Sequence, residues 1–286
     1  MKYSVAIDIG GTNTRVALAD EELNIIERKQ FATDSENPDV TLGKIAEVIK
    51  SFDCDIVGAG MSCPGPLDLI NGKILTPPNL KGQWHNLKVA EELSKLINKP
   101  VYLENDANLA GLAEAVVGEG KDYNYVQFFT VSTGLGAHGF GNEVANCVMM
   151  KDGPSHGSII PGGIEAISSG TAITSRAVKA GLDVKHAGEV NDLAKAGNEV
   201  AKQIMDDAKE YLANFIGVVY GYADPEIVIL GGSVALKIDG FVEEVEALAK
   251  ERVYEIMKPY VKVRKSTLNE DSGLIGAAYL AFSKAE

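Results

Sequence analysis

Cysteine is scarce in this chain, with three residues in 286. Cys54, Cys63 and Cys147 show no paired spacing, which argues against a disulfide framework and predicts reduced thiols in a cytosolic protein. His138, His156 and His186 form no metal-like cluster in the sequence and are assigned no chemistry. Positive charge is under-represented, 27 Lys and Arg against 40 Asp and Glu. The formal net charge of -13 argues against nucleic-acid binding, which normally needs a basic stripe. No uninterrupted apolar stretch is long enough to span a bilayer, and no signal-peptide pattern is present, so no membrane partner is expected. Both the G-x-x-x-x-G-K-[ST] loop and the G-x-G-x-x-G fingerprint are missing, which disfavours a P-loop or Rossmann site.

What the chain does have is glycine where apolar runs end. The first run, Val5 to Ile9 with Asp8 near its end, meets Gly10-Gly11-Thr12-Asn13 and returns as Thr14 to Leu18, a strand, a tight turn and a second strand. Gly10 and Gly11 let backbone amides approach an anion with no Cβ in the way, and Thr12 and Asn13 add side-chain donors. Asp8 is placed to hold a hydrated Mg²⁺ beside phosphates. An ordinary Gly-Gly hairpin explains the glycines alone equally well. A second run, Tyr125 to Val131, ends in Ser132-Thr133-Gly134-Leu135-Gly136 and repeats the design. A third, Ile227 to Leu230, ends in Gly231-Gly232-Ser233, where the competing reading is a strand-to-helix turn needing positive φ. Two strand-to-glycine tips in two halves of one chain predict a duplicated fold acting on a nucleotide.

Between the first two tips lies Glu104-Asn105-Asp106-Ala107-Asn108, directly after the apolar Val101 to Leu103. An Asn side chain can donate to one sugar oxygen and accept from another, and an adjacent Asp can take the proton of an attacking hydroxyl. That is the equipment of a kinase acting on a polyhydroxylated substrate. The bland alternative is a capped helix start in which Asp106 or Asn108 holds free backbone N–H groups.

Taken in order, Asp8-Ile9-Gly10-Gly11-Thr12, Pro64-Gly65, Glu104 to Asn108, Ser132 to Gly136 and Leu230-Gly231-Gly232 resemble the sugar kinases of the ROK family (repressors, open reading frames and kinases) across nearly the whole chain. The resemblance implies an α/β, two-domain actin-like ATPase (ribonuclease H-like) fold with an interdomain active-site cleft. It further implies transfer of the ATP γ-phosphoryl group to a hexose hydroxyl, O6 of glucose first, with N-acetylmannosamine, fructose, allose or a β-glucoside as alternatives. By the same resemblance Asp106 is the catalytic base. Gly65, Asn79, Asn105, Asp106, Glu143, Asn146 and Glu165 are sugar contacts. Asp8 holds Mg²⁺, while Gly10, Gly11, Thr12, Asn13, Ser132, Thr133, Gly134 and Gly136 meet ATP phosphates and Gly231 and Gly232 line the nucleoside. A homodimer is common in that family. A sugar-binding sensor without catalysis is the reading from another class, opposed by the intact Asp8, Asp106 and glycine tips.

The chain departs from the family in three places. After Gly136-Ala137 it runs straight into His138, roughly a dozen residues short of the usual strand-turn-strand unit, and losing a central strand would leave its neighbours' backbone groups unpaired. Asn146 stands where the family has a histidine, and a neutral amide does not replace an imidazole on zinc. The family's cysteine-rich zinc loop is replaced by Ile159 to Gly170, so no structural zinc is expected, while Glu165 keeps its register. At 286 residues the chain accommodates two domains. The expected division is a smaller N-terminal α/β domain, 1–108 plus 270–286, and a larger C-terminal one, 109–269. The first strand begins at Tyr3, so the helix-turn-helix of the repressor relatives is not expected. Helical spacing is expected over Val40–Ser51 with Leu42, Ile45 and Ile49 inward, over Leu87–Ile97 and Leu109–Val116, and over Asn191–Tyr222 with an interruption at Gly197. Phe241–Val253 and Gly273–Phe282 read as further helices. Trp84 is read either as a wall of the sugar site or as ordinary packing.

Overall fold

The structure is a computed structural model that describes residues 2–77, 79–137, 144–268 and 271–285. The chain divides into two compact units, residues 1–113 with 270–286 and residues 114–269.

In the first unit, β1 (Tyr3–Ile9), β2 (Asn13–Asp20) and β3 (Ile25–Ala32) form an antiparallel meander. On its other side β1 pairs in parallel with β4 (Ile56–Cys63). After a two-stranded β5 (Leu67–Asp68) and β6 (Lys73–Ile74), β7 (Val101–Asn105) adds in parallel to β4, giving the order β3-β2-β1-β4-β7. A central strand covered on both faces needs apolar residues at consecutive positions, and Val5, Ala6, Ile7 and Ile9 are all fully buried. On one face lie α1 (Pro38–Ser51) and α2 (Val89–Ile97), whose Leu42, Ile45, Ile49, Val89 and Leu93 share a core with Val5, Ile7 and Met61. Asn37 caps α1 by accepting the Asp39 N–H, and Pro38 occupies its first turn, where no amide donor is needed. Trp84 is fully buried in this core with its Nε1–H donated to the Asp34 carbonyl at 2.8 Å, so its role is packing. The helix α3 (Asp106–Val116) follows β7 directly.

The second unit repeats the wiring. Its sheet holds β8 (Val126–Val131), β9 (Leu135–Ala137), β10 (Ile227–Gly231) and β11 (Val263–Lys265) in the order β9-β8-β10-β11. As β1 does with β2 and β4, β8 pairs antiparallel with the strand that follows it and parallel with β10, and β10 pairs parallel with β11. The duplication expected from the glycine tips is therefore present in the topology. The return strand in this unit is β9, and no counterpart of β3 occurs among the described residues.

Between the strands run α4 (Ile164–Ser168), α5 (Gly170–Lys179), α6 (Ala187–Lys195), α7 (Glu199–Ala223), α8 (Gly232–Lys237) and α9 (Phe241–Lys250). Gly197, at φ +91°, separates α6 from α7, so the helical region expected from Asn191 is two helices with a left-handed turn between them. The apolar stripe of α7 fills this unit's core, where Phe215 meets Phe129 edge-on at 5.3 Å. The last helix, α10 (Ser272–Ala285), returns to the first unit on the sheet face opposite α1. It lies so close to β4 that a Cβ at Gly60 would collide with the Ala277 carbonyl.

Candidate active site

Parallel pairing in the first unit brings three strand ends together. Asp8 lies opposite Ser62 across β1 and β4, and Cys63 lies opposite Asn105 across β4 and β7. The carboxyl ends of neighbouring parallel strands are where open α/β sheets bind ligands. Burial, then the nearby Asp106 and Asp8 carboxylates, pushes the Cys63 thiol well above its ordinary range.

The first tip is a tight turn closed by the Gly10 N–H on the Asn13 carbonyl at 2.9 Å. Asp8, Gly10, Gly11, Thr12, Asn13 and Arg15 line one open hollow of about 530 Å³. A Cβ at Gly11 would stand 2.6 Å from that of Asn79, so the absence of a side chain there lets the Asn79 loop reach the tip. Arg15 donates to Asp8 through Nε and Nη2.

At the start of α3, the helix cap is Asn105. Its Oδ1 accepts the N–H of Ala107 at 2.9 Å and of Asn108 at 3.4 Å. Capping uses the carbonyl end of the amide, so the remaining hydrogen-bonding function of Asn105 is the donor Nδ2. A Cβ at Gly65 would lie 3.6 Å from that nitrogen, which puts the Gly65 backbone beside it. Asp106, the first residue of α3, is exposed and accepts the Ala107 N–H at 2.8 Å. Glu104 accepts the Asn105 N–H at 2.8 Å and the Asn108 Nδ2 at 2.7 Å, which fixes the turn. The capped-helix reading applies, with Asn105 and not Asn108 as the residue whose side chain accepts from both Ala107 and Asn108.

In the second unit, the Ser132 N–H closes the tip on the Gly134 carbonyl at 2.9 Å. Ser132 and Thr133 open onto a cavity of about 960 Å³, whose wall includes Gly170, Thr171 and Thr174 of α5 and Ser233 of α8. The sequence reading missed this α5 wall. Its one local signal is the Ser169-Gly170-Thr171 start, where Ser169 caps the helix by accepting the Ala172 N–H at 3.2 Å. Lys179, Lys185, Lys195 and Lys237 line the same cavity, concentrating positive charge in an acidic chain; three of them also sit in the last turn of a helix, where a cation opposes the dipole. Gly232 has φ +84°, and a Cβ there would stand 2.6 Å from the Val131 carbonyl. Gly231 packs on Phe128. These two glycines serve the strand-to-helix turn, while Ser233 and Val234 line the cavity.

Asn146 is exposed, and its Oδ1 accepts the Ile160 N–H at 2.9 Å. Around it, Ile164 N–H donates to the Cys147 carbonyl at 2.9 Å and Met149 N–H to the Gly162 carbonyl at 2.8 Å. Among the described residues no group of three or more His, Cys, Asp or Glu is placed to hold a metal. Glu165 accepts the Leu135 N–H at 2.8 Å, which puts it at the second tip. Glu143 and His138 lie outside the described residues.

A ROK family model matches residues 4–284. The chain belongs to the ROK family. Among its relatives is a glucokinase of Thermotoga maritima, 31% identical with 96% of this chain and 95% of that protein covered. Their alignment runs over 310 positions, more than this chain has residues, so the relative carries segments that are absent here. An N-acetylmannosamine kinase of Salmonella heidelberg is 29% identical, covering 97% and 98%. A crystal structure of a ROK hexokinase from Thermus thermophilus superposes with a TM-score of 0.88 at 27% identity, covering 99% of each chain. The paired β-β-α-β units of this chain are the ROK version of the actin-like ATPase fold.

Proposed function

We propose that this ROK sugar kinase transfers the γ-phosphoryl group of ATP to a hexose hydroxyl, O6 of glucose being the first candidate. The observation that carries the reading is the placement of Asp8 at the end of β1 and of Asn105 and Asp106 at the end of β7, on either side of the end of β4 and beside a glycine tip. Asp106, exposed at a helix start, takes the proton of the attacking hydroxyl. Asn105 Nδ2 and Asn79 donate to sugar oxygens and orient that hydroxyl. The phosphate contacts in this reading are Thr12, Asn13 and the backbone of Gly10 and Gly11 in the first tip, and Ser132, Thr133, Gly134 and Gly136 in the second. Phosphoryl transfer depends mainly on positioning and electrostatics, which polar backbone tips supply. Asp8 suits Mg²⁺, because that ion is held by one or two carboxylates plus phosphates and water, and it would neutralise phosphate charge there.

The curated relatives are a glucokinase and an N-acetylmannosamine kinase at nearly equal identity, which sets the competing substrates. A coupled ADP-release assay with Mg-ATP and glucose, mannose, fructose, N-acetylmannosamine, N-acetylglucosamine, allose and a phenolic β-glucoside separates them. Glucose is expected to give the highest kcat/KM. A preference for another sugar replaces the substrate. Sugar binding by calorimetry without any ADP release overturns the kinase in favour of a sensor. A homodimer belongs to the same proposal; its support is the family habit and the exposed Tyr222, Tyr254, Ile256 and Tyr260 of the second unit. A monomer mass by sedimentation velocity at micromolar concentration would remove it.

A further inference from the structure

Within the first unit, the glycine tip and two loops close a ring. Thr33 N–H donates to the Thr12 carbonyl at 2.9 Å, and the hydroxyls of Thr33 and Thr14 share a hydrogen bond at 2.8 Å. The residues after Thr33 then hold a second segment. Lys81 N–H donates to the Ser35 carbonyl at 2.7 Å, and Trp84 Nε1–H donates to the Asp34 carbonyl at 2.8 Å. That segment returns to the tip, since the Cβ of Asn79 lies only 2.6 Å from where one on Gly11 would stand. Loop 33–36 is thus bonded on one side to the tip and on the other to the segment that carries Asn79.

The loop is itself held in one conformation. Asp34 Oδ1 accepts the N–H of Glu36 at 3.1 Å and of Asn37 at 2.9 Å, and Asp34 N–H donates at 3.0 Å to Oγ1 of the fully buried Thr41. Asn79 is exposed, while Leu80 and Trp84 beyond it are fully buried. An exposed side chain on an unsupported loop has to be ordered when the ligand arrives, and that entropy is lost from the affinity. The indole ring of Trp84 is core packing; its N–H reaches out of the core to the loop. We propose that Trp84 is a positioning residue for the sugar. Its N–H fixes the 79–84 segment on loop 33–36, so that Asn79 is already in place against the tip, and its contribution to sugar affinity acts through Asn79. Gly82 offers a second way to disturb the same contact: it has φ +55°, and a Cβ there would stand 3.1 Å from the Glu36 carbonyl. Neither Trp84 nor Gly82 is a proposed ligand contact.

This role rests on the proposal that Asn79 meets the sugar, and the variants separate the two claims. ADP and each sugar of the assay panel are titrated separately by calorimetry into wild type, Asn79→Ala, Trp84→Phe, Gly82→Ala and the double variant of Asn79→Ala with Trp84→Phe. The effect is read on the sugar that wild type holds most tightly. Asn79→Ala and Trp84→Phe are each expected to weaken that sugar by about tenfold, with ADP unchanged within about threefold. The double variant is expected to bind no more weakly than Asn79→Ala alone, because residues that act through one contact are not additive, whereas a general loosening of the core would add. Gly82→Ala leaves the indole in place and is expected to weaken the sugar by about threefold or more, again sparing ADP, which keeps the question decidable should Trp84→Phe fail to fold. Full sugar affinity in Trp84→Phe and Gly82→Ala, beside a loss in Asn79→Ala, overturns the role of Trp84 alone. Full affinity in Asn79→Ala removes Asn79 as a sugar contact and Trp84 with it. Additive losses in the double variant, or equal losses of sugar and ADP, also overturn the proposal.

Discussion

Arg15 donates Nε–H and Nη2–H to the same oxygen of Asp8, at 3.0 and 2.7 Å. The two residues are direct partners across β1 and β2, so the pairing register delivers the guanidinium to the carboxylate. Both side chains are about one-quarter exposed, and solvent screening limits what such a pair adds to stability. Asp8→Asn keeps an oxygen for Arg15 and is expected to leave the melting temperature within about 4 °C of wild type while lowering kcat/KM for Mg-ATP by about 100-fold. Near-normal turnover in that variant would mean that Asp8 serves Arg15 alone.

The observed cap role of Asn105 and its proposed sugar role separate by substitution. Asn105→Ala loses the cap and is expected to cost about 1 kcal/mol of stability as well as sugar affinity. Asn105→Asp keeps the acceptor at the helix N-terminus, so stability holds while KM for the sugar rises about tenfold for want of the Nδ2 donor. Asp106→Asn, by contrast, is expected to lower kcat by roughly 100-fold or more with sugar binding intact. Normal sugar affinity in Asn105→Asp would reduce Asn105 to a cap. Normal turnover in Asp106→Asn would remove it as the base.

Tyr220 is 2% exposed, and its hydroxyl donates to the Lys262 carbonyl at 2.8 Å while accepting the Lys262 N–H at 2.9 Å. Burial is the main reason its pKa is pushed up to about 12 from 10.0. Above pH 10 the unfolded chain releases this proton and the folded one keeps it, so stability falls as pH rises from about 10 towards 12. Tyr220→Phe is expected to be less stable at pH 7 by about 1 to 3 kcal/mol and to lose part of that alkaline slope. Denaturant melts at pH 7, 10 and 11.5 check both; an unchanged slope in the variant would assign the alkaline loss to other groups.

Two glycines should respond to alanine with opposite signs. A methyl at Gly60 meets the Ala277 carbonyl of α10, whereas one at Gly43, inside α1, has nothing within 4 Å. Gly60→Ala is expected to cost several kcal/mol by forcing α10 off the sheet, and Gly43→Ala to add about 0.5 to 1 kcal/mol by relieving helix entropy. Thermal unfolding of the two variants decides; a Gly60→Ala protein as stable as wild type would contradict the close approach of α10.

Much of this protein was set by its sequence alone. The apolar runs, the glycine tips that end them and the Leu42, Ile45 and Ile49 stripe of α1 are local patterns, and local patterns specify strands, turns and helix faces because period and backbone freedom are properties of neighbouring residues. The clustered Asn105 and Asp106 were legible for the same reason. What only the tertiary structure decided is which partner each polar atom takes. Nothing near Glu165 in sequence points to Leu135, thirty residues away, and nothing near Asn146 points to Ile160. The α5 wall of the cavity and the burial of Trp84 likewise follow from how distant segments pack. A hydrogen bond is directional and short, so its partner is fixed only when the backbone of both segments is in place.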